Sequence, residues 1–130
     1  MRETAAIQTE GTTDIVEITQ VVRDAVPESA TDGQCTVFVP HTTAGVIVNE
    51  AESRLLEDIE RTLEGLVPSD GEYRHDQIDD NAAAHLRATL LGSDVTMPVS
   101  AGDLDIGRWQ SVLLVEGDGP RQRTVDILVS

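Results

Sequence analysis

CTVFVPHTTAGVIVNEAESRLLEDIERTLEGL, residues 35–66, holds two strands and a helix in one uninterrupted run. Its first part, CTVFVP, is short, β-branched and bounded by Gly33 and Pro40, the signature of a buried strand that delivers His41 at its end. Ala44 to Val48 gives a second strand. Asn49 stands where a helix cap belongs, and Glu52 at the third helical position completes a capping pattern. Leu55, Leu56, Ile59, Leu63 and Leu66 then recur on one helical face, with Glu57, Asp58, Glu60 and Arg61 on the other. That helix is expected to pack on a sheet.

Toward the N-terminus, ETAAIQTEGTTDIVEIT predicts two strands around Gly11, and Thr19 can cap a short helix carrying Val22, Ala25 and Val26. Toward the C-terminus, VPSDGEYRHDQIDD (67–80) is an exposed connection of a length that often carries function. Asn81 or Asp80 caps a third helix, with Leu86, Leu90 and Leu91 expected to face inward and Gly92 to end it. The remainder is β: DVTMPV, a turn at Ala101 to Asp103, WQSVLLVE, a turn at Gly117 to Pro120, and RQRTVDILVS. In that last run Val125, Ile127 and Val129 alternate as on a strand with one buried face. The expected fold class is α+β: a single domain over residues 1–130, mostly antiparallel or mixed β-sheet layers with about three helices.

Composition narrows the function classes. The 130 residues, 39% hydrophobic, suffice for one core. The formal charge is -15, and all nine basic residues are Arg. Such an excess of carboxylates repels a phosphate backbone, so nucleic acid is not an expected partner. The acids are scattered along the chain, as on a hydrated, salt-tolerant surface, and stability is expected to rise with salt. No apolar run approaches the roughly 20 residues that cross a bilayer, and MRETAAIQTE lacks the regions of a signal peptide; a cytoplasmic protein with no membrane partner is expected. Cys35, alone in an apolar strand, is expected to be a core residue.

The three histidines lie in short polar motifs: His41 after a strand, His75 in the long connection, and His85 four residues beyond Asn81 on a helix. Three neutral imidazoles suit a transition metal such as zinc, with one position left for water. No HxH or HxxxH pair fixes two of them on one element, so surface or core roles stay open beside shared ligation. Thr42 and Thr43 offer hydroxyls and amides beside His41, a cradle for phosphate or carboxylate. Glu50 can be a base, a ligand or a favourable charge at a helix start. Arg108, Arg121 and Arg123 have the forks that bind phosphate bidentately, or pair with the many acids. Trp109 can stack on a ring or pack in an interface. Glu116, at the end of an apolar run, needs an Arg, a metal or solvent. Phosphate-loop, dinucleotide, GxSxG and paired-cysteine zinc motifs are absent from the sequence.

Taken in order, HTTAGVIVNE, YRHD, NAAAHL, GSDVTMPVSAGDLDIGRWQ and EGDGPRQR resemble the YjbQ-like family, also called the secondary thiamine-phosphate synthase family, from about Ile15 to Val129. The resemblance implies a compact α+β domain assembled as a homotrimer, with a polar site near the subunit boundary. It also implies, as a secondary activity, coupling of a pyrimidine methyl pyrophosphate to a thiazole phosphate with release of pyrophosphate. The family's histidines match His41, His75 and His85, its Asn-Glu pair matches Asn49 and Glu50, and its C-terminal acid and bases match Glu116, Arg121 and Arg123.

On that basis His41, His75 and His85 are expected to hold zinc or manganese, with magnesium accompanying pyrophosphate. His41, His85 and Glu50 are the expected catalytic groups. Thr42, Thr43, Asn81, Trp109, Glu116, Arg121 and Arg123 are expected to contact a small phosphorylated substrate. Arg108, in GRWQ, departs from the small Thr or Ser expected there. Two other functions stay open: metal-dependent hydrolysis of a phosphorylated metabolite, and metal or anion binding by a trimer without turnover.

Overall fold

Two antiparallel sheets, each built from β-branched runs with one inward face, position everything else. The computed structural model describes all residues, Met1–Ser130. In chain order the elements are β1 (Arg2–Gln8), β2 (Asp14–Glu17), α1 (Thr19–Ala25), β3 (Asp32–Phe38), β4 (Ala44–Asn49), α2 (Ser53–Leu66), a 3₁₀ turn (Arg74–Gln77), α3 (Ala82–Leu91), β5 (Asp94–Ser100), β6 (Asp103–Leu104), β7 (Ser111–Glu116) and β8 (Gln122–Val129). One sheet has the order β1-β8-β3-β5-β6 and the other β2-β7-β4, and every pairing is antiparallel. The α+β class with three helices is as expected.

The period-2 pattern explains the core. Cys35 and Val37 of β3, Met97 and Val99 of β5, and Val125, Ile127 and Val129 of β8 point to one side of the large sheet. There they meet Ala44 and Val46 of β4, Val112 and Leu114 of β7, and Val22 and Ala25 of α1. Each fully buried Val or Ile contributes about 1.5–3 kcal/mol relative to exposure. β7 differs from its neighbours because Val112 to Glu116 are buried on both faces. Its second face lies beneath Leu63 of α2 and Ala84, Ala88 and Leu91 of α3, which surround Val115 and Glu116.

The helix ends differ from expectation. Asn49 does not cap α2: its side chain accepts only the adjacent Glu50 N–H at 2.8 Å. Glu52 is the cap, and its carboxylate accepts the Arg54 and Leu55 N–H groups. Thr19 lies inside α1 and its hydroxyl accepts the Val112 N–H at 2.9 Å, fastening the helix to β7. At α3, Asn81 occupies the cap position without a side-chain capping bond, and Asp76 accepts the Ala82 N–H at 3.0 Å instead.

The apolar faces of the helices are also less covered than their periodicity suggests. Leu55, Leu56, Ile59 and Leu63 are half-buried and Leu66 is exposed. In α3 the inward residues are Ala82, Ala84 and Arg87, while Leu86 and Leu90 are exposed. Small alanines let α3 lie close to β4, which leaves the leucines on the outside. Arg87, buried in that face, donates to the Val67 carbonyl, Glu64 and the Ser69 hydroxyl, and so ties α3 to the end of α2.

Candidate functional site

His41, Thr42 and Thr43 form the link from β3 to β4, and the start of α3 and the β7–β8 turn close around them. The result is a mostly polar cleft of about 400 Å³ lined by His41, Thr42, Thr43, Asp79, Asn81, His85, Asp118, Arg121 and Arg123, with Pro40 as its aliphatic member. A second open hollow continues from it past His41, Thr42 and His85 toward Gly92 and Ser93.

The floor is a buried ion pair. Glu116 and Arg123 side chains are 0% and 2% exposed. Arg123 reaches Glu116 through Nε at 2.8 Å and through Nη2 in a second, shorter contact, and the same Nη2 donates to the Thr43 hydroxyl at 2.8 Å. Glu116 further accepts the Thr9 hydroxyl and the N–H groups of Gly117 and Asp118. Burial by itself pushes the Glu116 carboxyl up, but these donors, Arg123 first, outweigh it and hold it below the usual carboxylate range. Glu116, expected to touch substrate, is therefore consumed inside the protein. It fixes the turn that carries Asp118, and Arg123 fixes Thr43.

On the walls, the Thr124 N–H donates to His41 Nε2 at 3.0 Å, which requires a lone pair there and leaves the proton of the neutral ring on Nδ1. Burial, and then the charge of Arg123, lower the His41 pKa, with Glu116 opposing. The ring is thus neutral at pH 7. The ring nitrogens of His85 have no hydrogen-bond partner in the chain, and the His75 ring stands edge-on to it with centroids 4.7 Å apart. Asp118 accepts Asn81 Nδ2 at 2.9 Å and an Arg121 guanidinium N–H at 3.1 Å. The backbone N–H groups of Thr42 and Thr43 have no acceptor in the chain.

This geometry corrects several expectations. The three imidazoles do not close into a metal centre: no three His, Cys, Asp or Glu side chains are placed to share an ion, and His41 Nε2 is already engaged. Glu50 is not in the cleft. It follows β4, whose last residue, Asn49, pairs with Ser111, and six residues of strand put that end about 16 Å from Ala44. Trp109 belongs to the same far end, 65% exposed, with the Arg108 guanidinium 4.8 Å from its ring centroid. His41, His85, Thr42, Thr43, Asn81, Arg121 and Arg123 do come together.

Asp79, Asp118 and Thr124 complete the cleft and were not anticipated. Asp118 sits in EGDGPRQR, where a Gly-flanked Asp between two functional neighbours was a readable signal; Asp79 and Thr124 gave none.

The chain matches the model of the family described as UPF0047 protein YjbQ-like over residues 3–130, and it belongs to that family. It is similar to a UPF0047 protein of Methanothermobacter thermautotrophicus, 44% identical over 125 residues, covering 95% of this chain and 87% of the relative. A UPF0047 protein of Archaeoglobus fulgidus is 48% identical over 112 residues, covering 86% of this chain and 87% of the relative. Among solved structures, a YbjQ-like protein of unknown function from Sulfolobus solfataricus P2 superposes with a TM-score of 0.96 at 37% identity, covering 99% of this chain and 95% of that one.

These relatives correct the expected thiamine-phosphate synthase function: they carry a family designation only, and the solved protein is described as having no known function.

Proposed function

We propose that the cleft binds a small phosphorylated molecule and that His41 and His85 exchange protons with it, so that the chain acts as an acid–base enzyme. The observation supporting this reading is the convergence, in a chain of net charge -15, of two arginines, two imidazoles and two threonines with acceptor-free amides on one mostly polar cleft. Arg121 is the half-exposed cation: Nε and one terminal nitrogen hold Asp118, and its remaining N–H groups are open to an incoming anion. Arg123, its charge matched by Glu116, acts from below through its hold on Thr43. His41 offers Nδ1–H as a donor to a phosphate oxygen or leaving group. His85, with both ring nitrogens unengaged, accepts a proton. Positioned proton transfer of this kind contributes about 10²–10⁴-fold to a rate.

The test joins calorimetric titration of inorganic phosphate with ³¹P NMR of the protein incubated with small phosphate esters. Saturable phosphate binding, weakened about tenfold or more in Arg121→Ala, and ester conversion abolished in His41→Ala are expected. Absence of phosphate binding, or conversion unchanged in His41→Ala, overturns the reading.

A further inference from the structure

The walls of the cleft carry acceptors that an anion alone leaves unused. Asp118 Oδ2 receives Asn81 and Arg121, but its Oδ1 receives no donor from the chain. Asp79 accepts only the Asp80 N–H, at 3.0 Å through Oδ1. Asn81 is turned by its own hydrogen bond: Nδ2 must face the Asp118 carboxylate, which leaves Oδ1 as a buried side-chain atom without a hydrogen-bond partner. A flipped amide would set oxygen against oxygen, so the unpaired acceptor is a consequence of Asp118 and not of a free choice. An unmatched buried acceptor is unfavourable, and Asn81 Oδ1, closed to solvent, stays unmatched, so the acceptors open to donors from a ligand are those of Asp118 and Asp79.

Bare phosphate cannot supply these donors, and its charge is repelled by the two aspartates. A phosphate ester carrying hydroxyl groups satisfies both halves of the wall. Its phosphate meets Arg121 and the Thr42 and Thr43 amides, and its hydroxyls donate to Asp118 and Asp79. Hydroxyls suffice without an added ammonium, because Nε and one terminal nitrogen of Arg121 stay on Asp118 while its remaining N–H groups take the phosphate. The cleft, about 400 Å³ and mostly polar, with Pro40 as its aliphatic ring, lies at the small end of ligand sites.

We propose that the ligand is a hydroxylated phosphate ester, a polyol or sugar phosphate. This rests on the phosphate-binding reading above and narrows it. The test titrates three probes into the full chain: inorganic phosphate, ribose 5-phosphate and phenyl phosphate. Ribose 5-phosphate is expected to bind about tenfold or more tighter than either other probe, since sites built for hydroxyls reject analogues that lack them. In Asp118→Asn, which keeps the side-chain shape, that advantage falls to about threefold or less while inorganic phosphate still binds. Phenyl phosphate binding as well as ribose 5-phosphate, with inorganic phosphate bound, overturns the hydroxylated class and leaves the anion site standing. If none of the three binds, both proposals fail.

Discussion

Replacing Arg123 with Met separates the architecture of the site from its chemistry. The substitution keeps an unbranched side chain but removes the two contacts to Glu116 and the one to the Thr43 hydroxyl. Glu116, with no side-chain exposure, is left as a dry carboxylate stabilised only by Thr9 and two backbone amides. Removing one partner of such a buried pair costs about 3–5 kcal/mol, against a total stability of about 5–15 kcal/mol for a domain. Both ends are dry here, so the upper half of that range is expected.

The signature is its pH dependence. In the native protein the Glu116 carboxyl is held below its ordinary 4.5, so its contribution is present above that pH and lost as pH falls. Without Arg123, burial raises the carboxyl, and the penalty disappears as it protonates. The stability gap between Arg123→Met and the native chain should therefore be widest near pH 7 and close toward pH 4. Adding Glu116→Gln, which removes the charge and keeps an acceptor, should restore about 2 kcal/mol or more. Urea denaturation followed by circular dichroism reads all of this. A single variant within about 1 kcal/mol of native at pH 7, or a double variant no better than the single, refutes the argument that this pair supports the cleft.

Further outcomes follow from other parts of the structure. The His41 pKa is lowered from 6.5, so the neutral ring stabilises the fold above that pH and this part is lost as pH falls below it; His41→Gln should flatten the stability curve between pH 7 and 5, and an unchanged curve contradicts the buried neutral ring. Added sodium chloride should raise the urea midpoint steadily to 1 M, because the repulsion within a chain of net charge -15 is screened over about 3 Å at that concentration; a falling midpoint contradicts it. A Cβ at Gly45 would lie 2.8 Å from the Gly92 carbonyl oxygen and 2.9 Å from Leu91 Cβ, so Gly45→Ala should destabilise by about 1–3 kcal/mol through overpacking of β4 against α3; a neutral effect in thermal melts would show that this contact yields. The exposed Leu66, Ile78, Leu86, Leu90 and Trp109 fit the self-association that the family resemblance implies, and sedimentation at micromolar concentration should return the mass of three chains; a single-chain mass refutes it.

The strands were legible because their rule is local. CTVFVP and RQRTVDILVS alternate or run apolar between Gly and Pro, and the period survives any tertiary arrangement. Helix faces were less legible. In AAAHLRATLL the leucines suggested the buried side, yet close approach to β4 selects alanines, and Arg87 is buried because three acceptors at the end of α2 await it. The site divides in the same way. His41, Thr42 and Thr43 are contiguous, and Asn81 and His85 share one helical face, so both groups could be read directly. Whether they meet depends on the β7–β8 turn folding over both, and that depends on Glu116, whose partners Thr9 and Arg123 are distant in sequence. Glu50 was misplaced because it and His41 flank β4 at opposite ends, and Trp109 because it precedes β7 at the end that pairs with Asn49 rather than the end that pairs with Ala44.

The account rests on one cleft receiving an anion between Arg121 and the link from β3 to β4. Titrating inorganic phosphate into ¹⁵N-labelled protein and following the amide spectrum tests this most directly. Saturable shifts concentrated at Thr42, Thr43, Asn81, Asp118 and Arg121, and lost in Arg121→Ala, are predicted. Shifts absent at those amides, or centred on the far end of β4 around Glu50 and Trp109, would contradict it.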